Sequence, residues 1–298
     1  MKTLQSGEMR VHRVGEIDRC LLDATTLFPE AAPDLGERNK TWLDERFIEP
    51  LTHELVVAYQ SFVVQTRTRN ILIDTGIGNH KRRPTKPWQH NLSTGYLGNF
   101  AAAGLRPQDI DLIVFTHLHA DTLGWSTKLQ NGQLVPTFTS AKYLFPVEDF
   151  DRLNRLHQSR PAEPVLGGAF VESVLPIIDA GVALLVESDH VIEQKGDDGV
   201  WFESMPGHTP GNIMVHVKAD TFHVVLAGDM LHHPVQLMEP HLVMAEDGDL
   251  EEAVASRRRL LRTYADTNTI VLSGHFPEPT AGRIVTWGDQ YRYRWIDR

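Results

Sequence analysis

Five apolar runs of β character in this chain each lead to a histidine or an aspartate. Ile71-Leu72-Ile73 leads to Asp74, Ile113-Val114-Phe115 to His117, His119 and Asp121, Trp201-Phe202 to His208, Val224-Val225-Leu226 to Asp229, and Ile270-Val271-Leu272 to His275. Runs this short and this apolar read as buried strands. Functional groups gather at strand ends because the sheet is rigid and the loops beyond it are free to vary. Glycines accompany them in "PGHTPG", "AGD" and "SGH", where the backbone must turn sharply or approach a neighbour closely.

The remaining sequence supplies the elements that would cover such strands. Strands are expected over 55–66, 70–76, 111–115, 141–146, 182–187, 200–208 and 269–275, with a hairpin of 212–219 and 222–229 around Asp220-Thr221. Helices are expected over about 95–104, 147–157 and 249–264, the last opened by Asp249 and Glu252 in a capping pattern. A polar, proline-containing loop fills 79–95. Strands in both halves with helices between them predict one α/β domain over 1–298, two sheets packed between helices, with 1–50 partly an extension that lines the site or an interface. Arg257, Arg258 and Arg259 are expected on the solvated face of the last helix.

Composition narrows the chemistry. The chain carries 15 histidines, where average usage gives about 6–7 in a chain this long. The single cysteine, Cys20, excludes an internal disulfide framework and a thiolate zinc cluster. Excess imidazole with almost no thiol points to metal held by nitrogen and oxygen. A net charge of −10 argues against nucleic acid as a partner. No apolar run approaches the roughly 18 residues of a membrane span, so no membrane partner is expected. The first 19 residues lack an apolar core of the kind a secretory leader needs, and with the lone cysteine this predicts a cytoplasmic setting. No G-x-S-x-G elbow is present, which disfavours a serine hydrolase.

Any one of these histidines or aspartates alone is more often structural than ligating. Together they are far more specific, because His-x-His-x-Asp leaving a strand can aim three donors at one point, and imidazole and carboxylate both suit zinc. "THLHAD", "PGHTPG", "AGDM" and "SGH", in this order and at these intervals over about 55–280, resemble the metallo-β-lactamase superfamily. The resemblance implies a four-layer αβ/βα sandwich with metal at one edge. It implies a first metal on His117, His119 and His208, a second on Asp121 and His275, and Asp229 bridging both, with Asp74 supporting the site through hydrogen bonds. Zn2+ is the implied ion, with Fe or Mn as alternatives. The sequence departs from the family motif at Thr122, where a histidine usually serves the second metal. One tight metal and a second weaker or altered site are therefore expected, the gap filled by water or by a water held on Thr122. His232, His233 and His80 read as loop or supporting residues.

The resemblance also implies a reaction. A metal-bound hydroxide attacks the substrate, a second metal or open position polarises it, and Asp121 and Asp229 orient the nucleophile or carry its proton. The pattern is most similar to N-acyl homoserine lactone lactonases and related ester hydrolases, which implies a small-molecule lactone or ester with a hydrophobic portion. Leu27, Phe28, Trp42, Phe47 and Trp88 either wall an apolar pocket for it or, more simply, pack the core or a homodimer interface. A phosphotriesterase of the methyl-parathion hydrolase type, a mononuclear iron oxygenase of the persulfide dioxygenase type and a non-catalytic metal-binding descendant are the alternatives.

Overall fold

Runs rich in Val, Ile and Phe form the strands, as β-branched and aromatic side chains favour. A computed structural model describes residues 3–160, 162–220 and 222–296. In the first part of the chain the strands are β1 (Leu4–Ser6), β2 (Met9–Leu22), β3 (Leu55–Gln65), β4 (Asn70–Ile73), β5 (Leu112–Val114), β6 (Thr127–Gln130), β7 (Gln133–Pro136), β8 (Lys142–Pro146) and β9 (Ala183–Val186). They make a seven-stranded sheet of order β1-β2-β3-β4-β5-β8-β9 and a β6-β7 ribbon. The later strands are β10 (Val191–Lys195), β11 (Asp198–Ser204), β12 (Ile213–Ala219), β13 (Phe222–Leu226), β14 (Ile270–Leu272), β15 (Gly282–Trp287) and β16 (Gln290–Trp295). These form a second seven-stranded sheet in simple sequence order. The mixed α/β class expected from the sequence is the class observed.

By its packing the chain divides into two compact units: one gathers Asp18–Ala58 with the chain from Val191 on, the other the chain up to Ile17 with Tyr59–His190. Each has its own core. Phe100, Phe115, Phe138, Tyr143, Phe145 and Phe170 are fully buried in the second unit, and Met205, Met230, Leu260, Leu261 and Phe276 in the first. Burying each such side chain contributes about 1.5–3 kcal/mol. The helix Val147–Ser159 seats Leu153, and Leu250–Tyr264 seats Ala253, Leu260, Leu261 and Tyr264. Asp249 caps the latter through its carboxylate and the Glu252 N–H, as its sequence position predicts.

Two parallel pairings set the site. Ile73 lies opposite Val114 in β4–β5, so Asp74 and the Thr116–His117 segment leave the sheet side by side. Leu226 lies opposite Leu272 in β13–β14, and the loops carrying Asp229 and His275 leave that sheet likewise.

Three expectations need adjustment, while the hairpin forms where it was expected. The helix over 95–104 is a short α-turn, Tyr96–Asn99, continued as a 3-10 turn and stopped by Gly104 at φ 69°. The strand over 200–208 ends at Ser204, where the "PGH" loop begins. The hairpin of β12 and β13 forms in register, with Val217 opposite Val224, while Thr221 at its turn lies outside the described residues. Arg257 is not on a solvated face: it is fully buried and donates to the carbonyls of Met230, Pro240 and Leu242, each at 2.8 Å. Burial pulls its guanidinium down to about 10.

Candidate metal centre

In the unit built on the first sheet, the chain leaves β5 as Thr116-His117-Leu118-His119. Asp74, held at φ 58°, accepts the Thr116 N–H and hydroxyl, both at 2.8 Å. The Thr116 oxygen lies 3.1 Å from His117 Nδ1. With the hydroxyl hydrogen given to Asp74, that oxygen accepts from Nδ1–H, which leaves the imidazole lone pair on Nε2. The rings of His117 and His119 meet edge to face at 4.7 Å. Asp121 stands in the first turn of the short helix Ala120–Leu123 and accepts from Gln89 Nε2 at 3.2 Å. Asp149, which the sequence reading missed, holds the intervening Leu118 N–H at 2.9 Å. It sits in the acidic first turn of a helix, where a carboxylate looks like ordinary capping.

Thr122 is committed to the backbone. Its hydroxyl accepts the His119 N–H at 3.2 Å and has the carbonyls of His119 and His117 at 3.0 and 3.1 Å as acceptors for its proton. The residue braces the histidine loop. Gly124 and Trp125 have equally definite duties. A Cβ on Gly124 would lie 1.7 Å from the Ile77 carbonyl oxygen. Trp125 Nε1 donates to Glu16 at 2.8 Å, and the same carboxylate takes the Ile77 and Gly78 N–H groups. Burial pushes the Glu16 carboxyl above its usual range, and those donors oppose the shift.

The other unit carries a tighter cluster. Asp229 Oδ2 has three imidazole Nε2 atoms around it: His208 at 3.4 Å, and His232 and His275 at 3.2 Å each. His208 Nδ1 is 2.6 Å from Asp247 Oδ1, and His275 Nδ1 is 3.1 Å from the Ala58 carbonyl. Those contacts use Nδ1 as the donor, so the neutral rings turn Nε2 lone pairs toward an anionic oxygen. Three buried imidazoles cannot all be protonated beside one carboxylate without a large desolvation cost. A cation among these atoms resolves the repulsion. Tetrahedral coordination at about 2.0–2.1 Å puts ligand atoms roughly 3.3 Å apart, close to the spacings observed. The donor set fits a divalent metal.

Glycine and helix placement set His208. Gly207 adopts φ 127°, and a Cβ there would lie 2.2 Å from the Ala253 nitrogen. The Asp249 N–H donates to the Gly207 carbonyl at 2.9 Å and the Gly248 N–H to that of His208 at 3.0 Å, tying the loop to the helix start. Burial raises the Asp247 carboxyl, but its bond to His208 and the nearby imidazoles prevail and leave it below its usual value. Asp247 was not singled out in the sequence, where it is hidden in the acidic run "AEDGD". His233 is a structural anchor: its Nδ1 accepts from the Val235 N–H and its Nε2 donates to the Phe47 carbonyl at 2.9 Å. Burial lowers it to about 4 and keeps it neutral. His80 is exposed on its loop. Leu27, Phe28 and Phe47 are buried and Phe47 stacks on Trp295, whereas Trp42 and Trp88 are half-buried.

Residues 56–275 match the family model described as the metallo-beta-lactamase superfamily. No curated protein matches the chain by sequence. Among solved structures, it is similar to hydrolase AbOPH of the beta lactamase superfamily at 20% identity, with 99% of this chain and 97% of that one covered and a TM-score of 0.77. It is similar to AidC, a dizinc quorum-quenching lactonase solved with a product, at 21% identity, 100% and 97% coverage and a TM-score of 0.76. A probable metal-dependent hydrolase from Staphylococcus aureus aligns at 17% identity over 99% of each chain, with a TM-score of 0.75. These likenesses show a shared fold, and the family model covers most of the chain's length. The chain belongs to the metallo-β-lactamase superfamily.

Proposed function

We propose that this protein opens a lactone, or cleaves a carboxylic ester, that carries a hydrophobic portion. The observation that carries the reading is the buried set of imidazole nitrogens turned on Asp229 Oδ2, a donor set with no use in packing alone. In this reading His117, His119 and His208 would hold a first zinc, Asp121 and His275 would serve a second, and Asp229 would contribute its carboxylate to the centre. By motif alone the second position is one imidazole short, because Thr122 replaces a histidine. When bound, such cations supply Lewis acidity that activates water near neutral pH and polarises a carbonyl oxygen.

The chain's own groups do the rest. Asp121, steadied by Gln89, orients the attacking water and takes its proton. Asp247 and Asp74, the latter through Thr116, fix the tautomers of His208 and His117 so that Nε2 faces the centre. No serine or cysteine nucleophile is required. The fold-level likeness to AidC, itself a lactonase, supports lactones as the first substrates to try. A small acidic protein with one cysteine suits a cytoplasmic role on small molecules, as a monomer or homodimer.

Zinc-loaded protein assayed on a panel of lactones, aryl esters and phosphotriesters tests the proposal. Turnover of a lactone or ester is expected, and it should disappear in His117→Ala. Turnover of phosphotriesters alone would reassign the substrate class, and inertness toward the whole panel would overturn the reading. Iron retention with oxygen consumption would indicate an oxygenase instead.

A further inference from the structure

A third histidine, His232, stands beside His208 and His275 at the cluster in the Asp229 unit. We infer that His232 is a metal ligand, its Nε2 joining His208 Nε2 and a carboxylate oxygen of Asp229 in a three-donor position for a divalent cation such as Zn2+. This deepens the hydrolase reading and rests on it for the identity of the ion. These three residues have ligand atoms all within 4.8 Å of one another, and all three are buried. His232 Nε2 approaches Asp229 Oδ2 at 3.2 Å, yet neither of its ring nitrogens has a hydrogen-bond partner among the described residues. A buried ring nitrogen left unsatisfied is costly, a poor choice for a position that only fills space. A cation at Nε2 would satisfy that nitrogen.

The segment carrying His232 is also held more firmly than packing requires. Arg257 Nε binds the Met230 carbonyl at 2.8 Å, and the Ser273 hydroxyl binds that of Leu231 at 2.5 Å. The Gln236 side chain takes the His232 N–H at 2.7 Å and passes its own amide to the Leu242 carbonyl at 2.9 Å. His233 anchors the next residue to Phe47. Four successive residues, 230–233, are therefore each pinned through a different partner. Such support orients ligands in metal sites, where losing it typically costs 10–100-fold in affinity. The ring of His232 lies 5.0 Å from that of His208 and 5.3 Å from that of His275, so a single rigid loop presents it to the cluster.

The test is zinc titration of the whole protein against a chromophoric chelator, wild type beside His232→Gln and His232→Phe, with 15N-histidine NMR on the wild type. Wild type is expected to take two zinc ions per chain. Both variants should lose one ion or hold it at least tenfold more weakly, while His80→Gln behaves as wild type. The His232 Nε2 resonance should shift as zinc is added. Unchanged stoichiometry and affinity in both variants, or a His232 Nε2 signal that ignores zinc, would overturn the inference and leave the hydrolase reading intact. A wild type that binds no zinc would overturn both. Circular dichroism and the chelated melting temperature of each variant separate ligand loss from misfolding: an affinity lost only because the variant fails to fold counts against His232 as a ligand if the other variant folds and binds normally.

Discussion

Asp247 shows how a residue without chemistry of its own governs the centre. Its 2.6 Å contact to Nδ1 decides that His208 presents a lone pair at Nε2, and removing it frees the ring to rotate or change tautomer. Asp247→Ala is expected to weaken zinc binding by roughly 10–100-fold, with little change in secondary structure, as read by chelator competition and circular dichroism. Thr122 acts differently. Its hydroxyl accepts the His119 N–H and donates to a neighbouring carbonyl, so Thr122→Val removes the acceptor of the part-buried His119 N–H. A loss of about 1–3 kcal/mol is expected in urea unfolding of the metal-free protein. The candidate ligands were legible in the sequence because His-x-His-x-Asp and the glycine-flanked His and Asp have fixed local spacing. Asp247, Asp149 and Glu16 were not, because a lone carboxylate acquires its meaning from a partner tens of residues away. For His232 the sequence carries no comparable rule, because a doubled histidine beside Asp229 has no fixed ligand spacing.

Strands and helices were easier to read than the loops between them. The apolar runs that became β3, β5, β13 and β14 declare themselves by composition, and the helix Leu250–Tyr264 by its cap and its apolar spacing. β2 did not, because its sequence "MRVHRVGEIDRCLL" mixes charge with Val and Leu along a partly exposed strand. The contact of Gly207 with the start of the Leu250–Tyr264 helix leaves no room for a side chain. Gly207→Ala places a methyl group against the Ala253 backbone at a φ that side chains rarely adopt. A loss of about 2–4 kcal/mol is expected, with zinc affinity falling alongside it because His208 is the next residue. The second sheet carries a pH dependence of its own. Burial, with the neighbouring His216, holds His223 down at about 4, whereas in the unfolded chain it titrates near 6.5. The unfolded state therefore binds the extra proton first, and stability present above pH 6.5 is lost as pH falls toward 4. The ring is only partly buried, so solvent screening limits the effect to about 1 kcal/mol, or roughly 2–4 °C. His223→Phe should flatten the melting profile of metal-free protein between pH 6.5 and 4 relative to wild type. A parallel profile would show that other groups set the slope.

Two units with separate cores divide the proposed ligands between them: His117, His119 and Asp121 on one, His208, Asp229, His232 and His275 on the other. Each unit interrupts the other in sequence, so neither could be read off as a continuous segment. The sequence reading of one domain and the division by packing describe the same chain at different levels. Metal binding adds to the stability of the folded chain. A ligand that binds only the folded state stabilises it by RT ln(1 + [L]/Kd), about 4 kcal/mol when free zinc exceeds Kd a thousandfold. At roughly 2–4 °C per kcal/mol, chelation is expected to lower the melting temperature by about 10 °C, and re-addition of zinc should restore it. A chelated protein that melts at the same temperature as the zinc-loaded one would mean that these residues hold no metal in the folded state, whatever their spacing suggests.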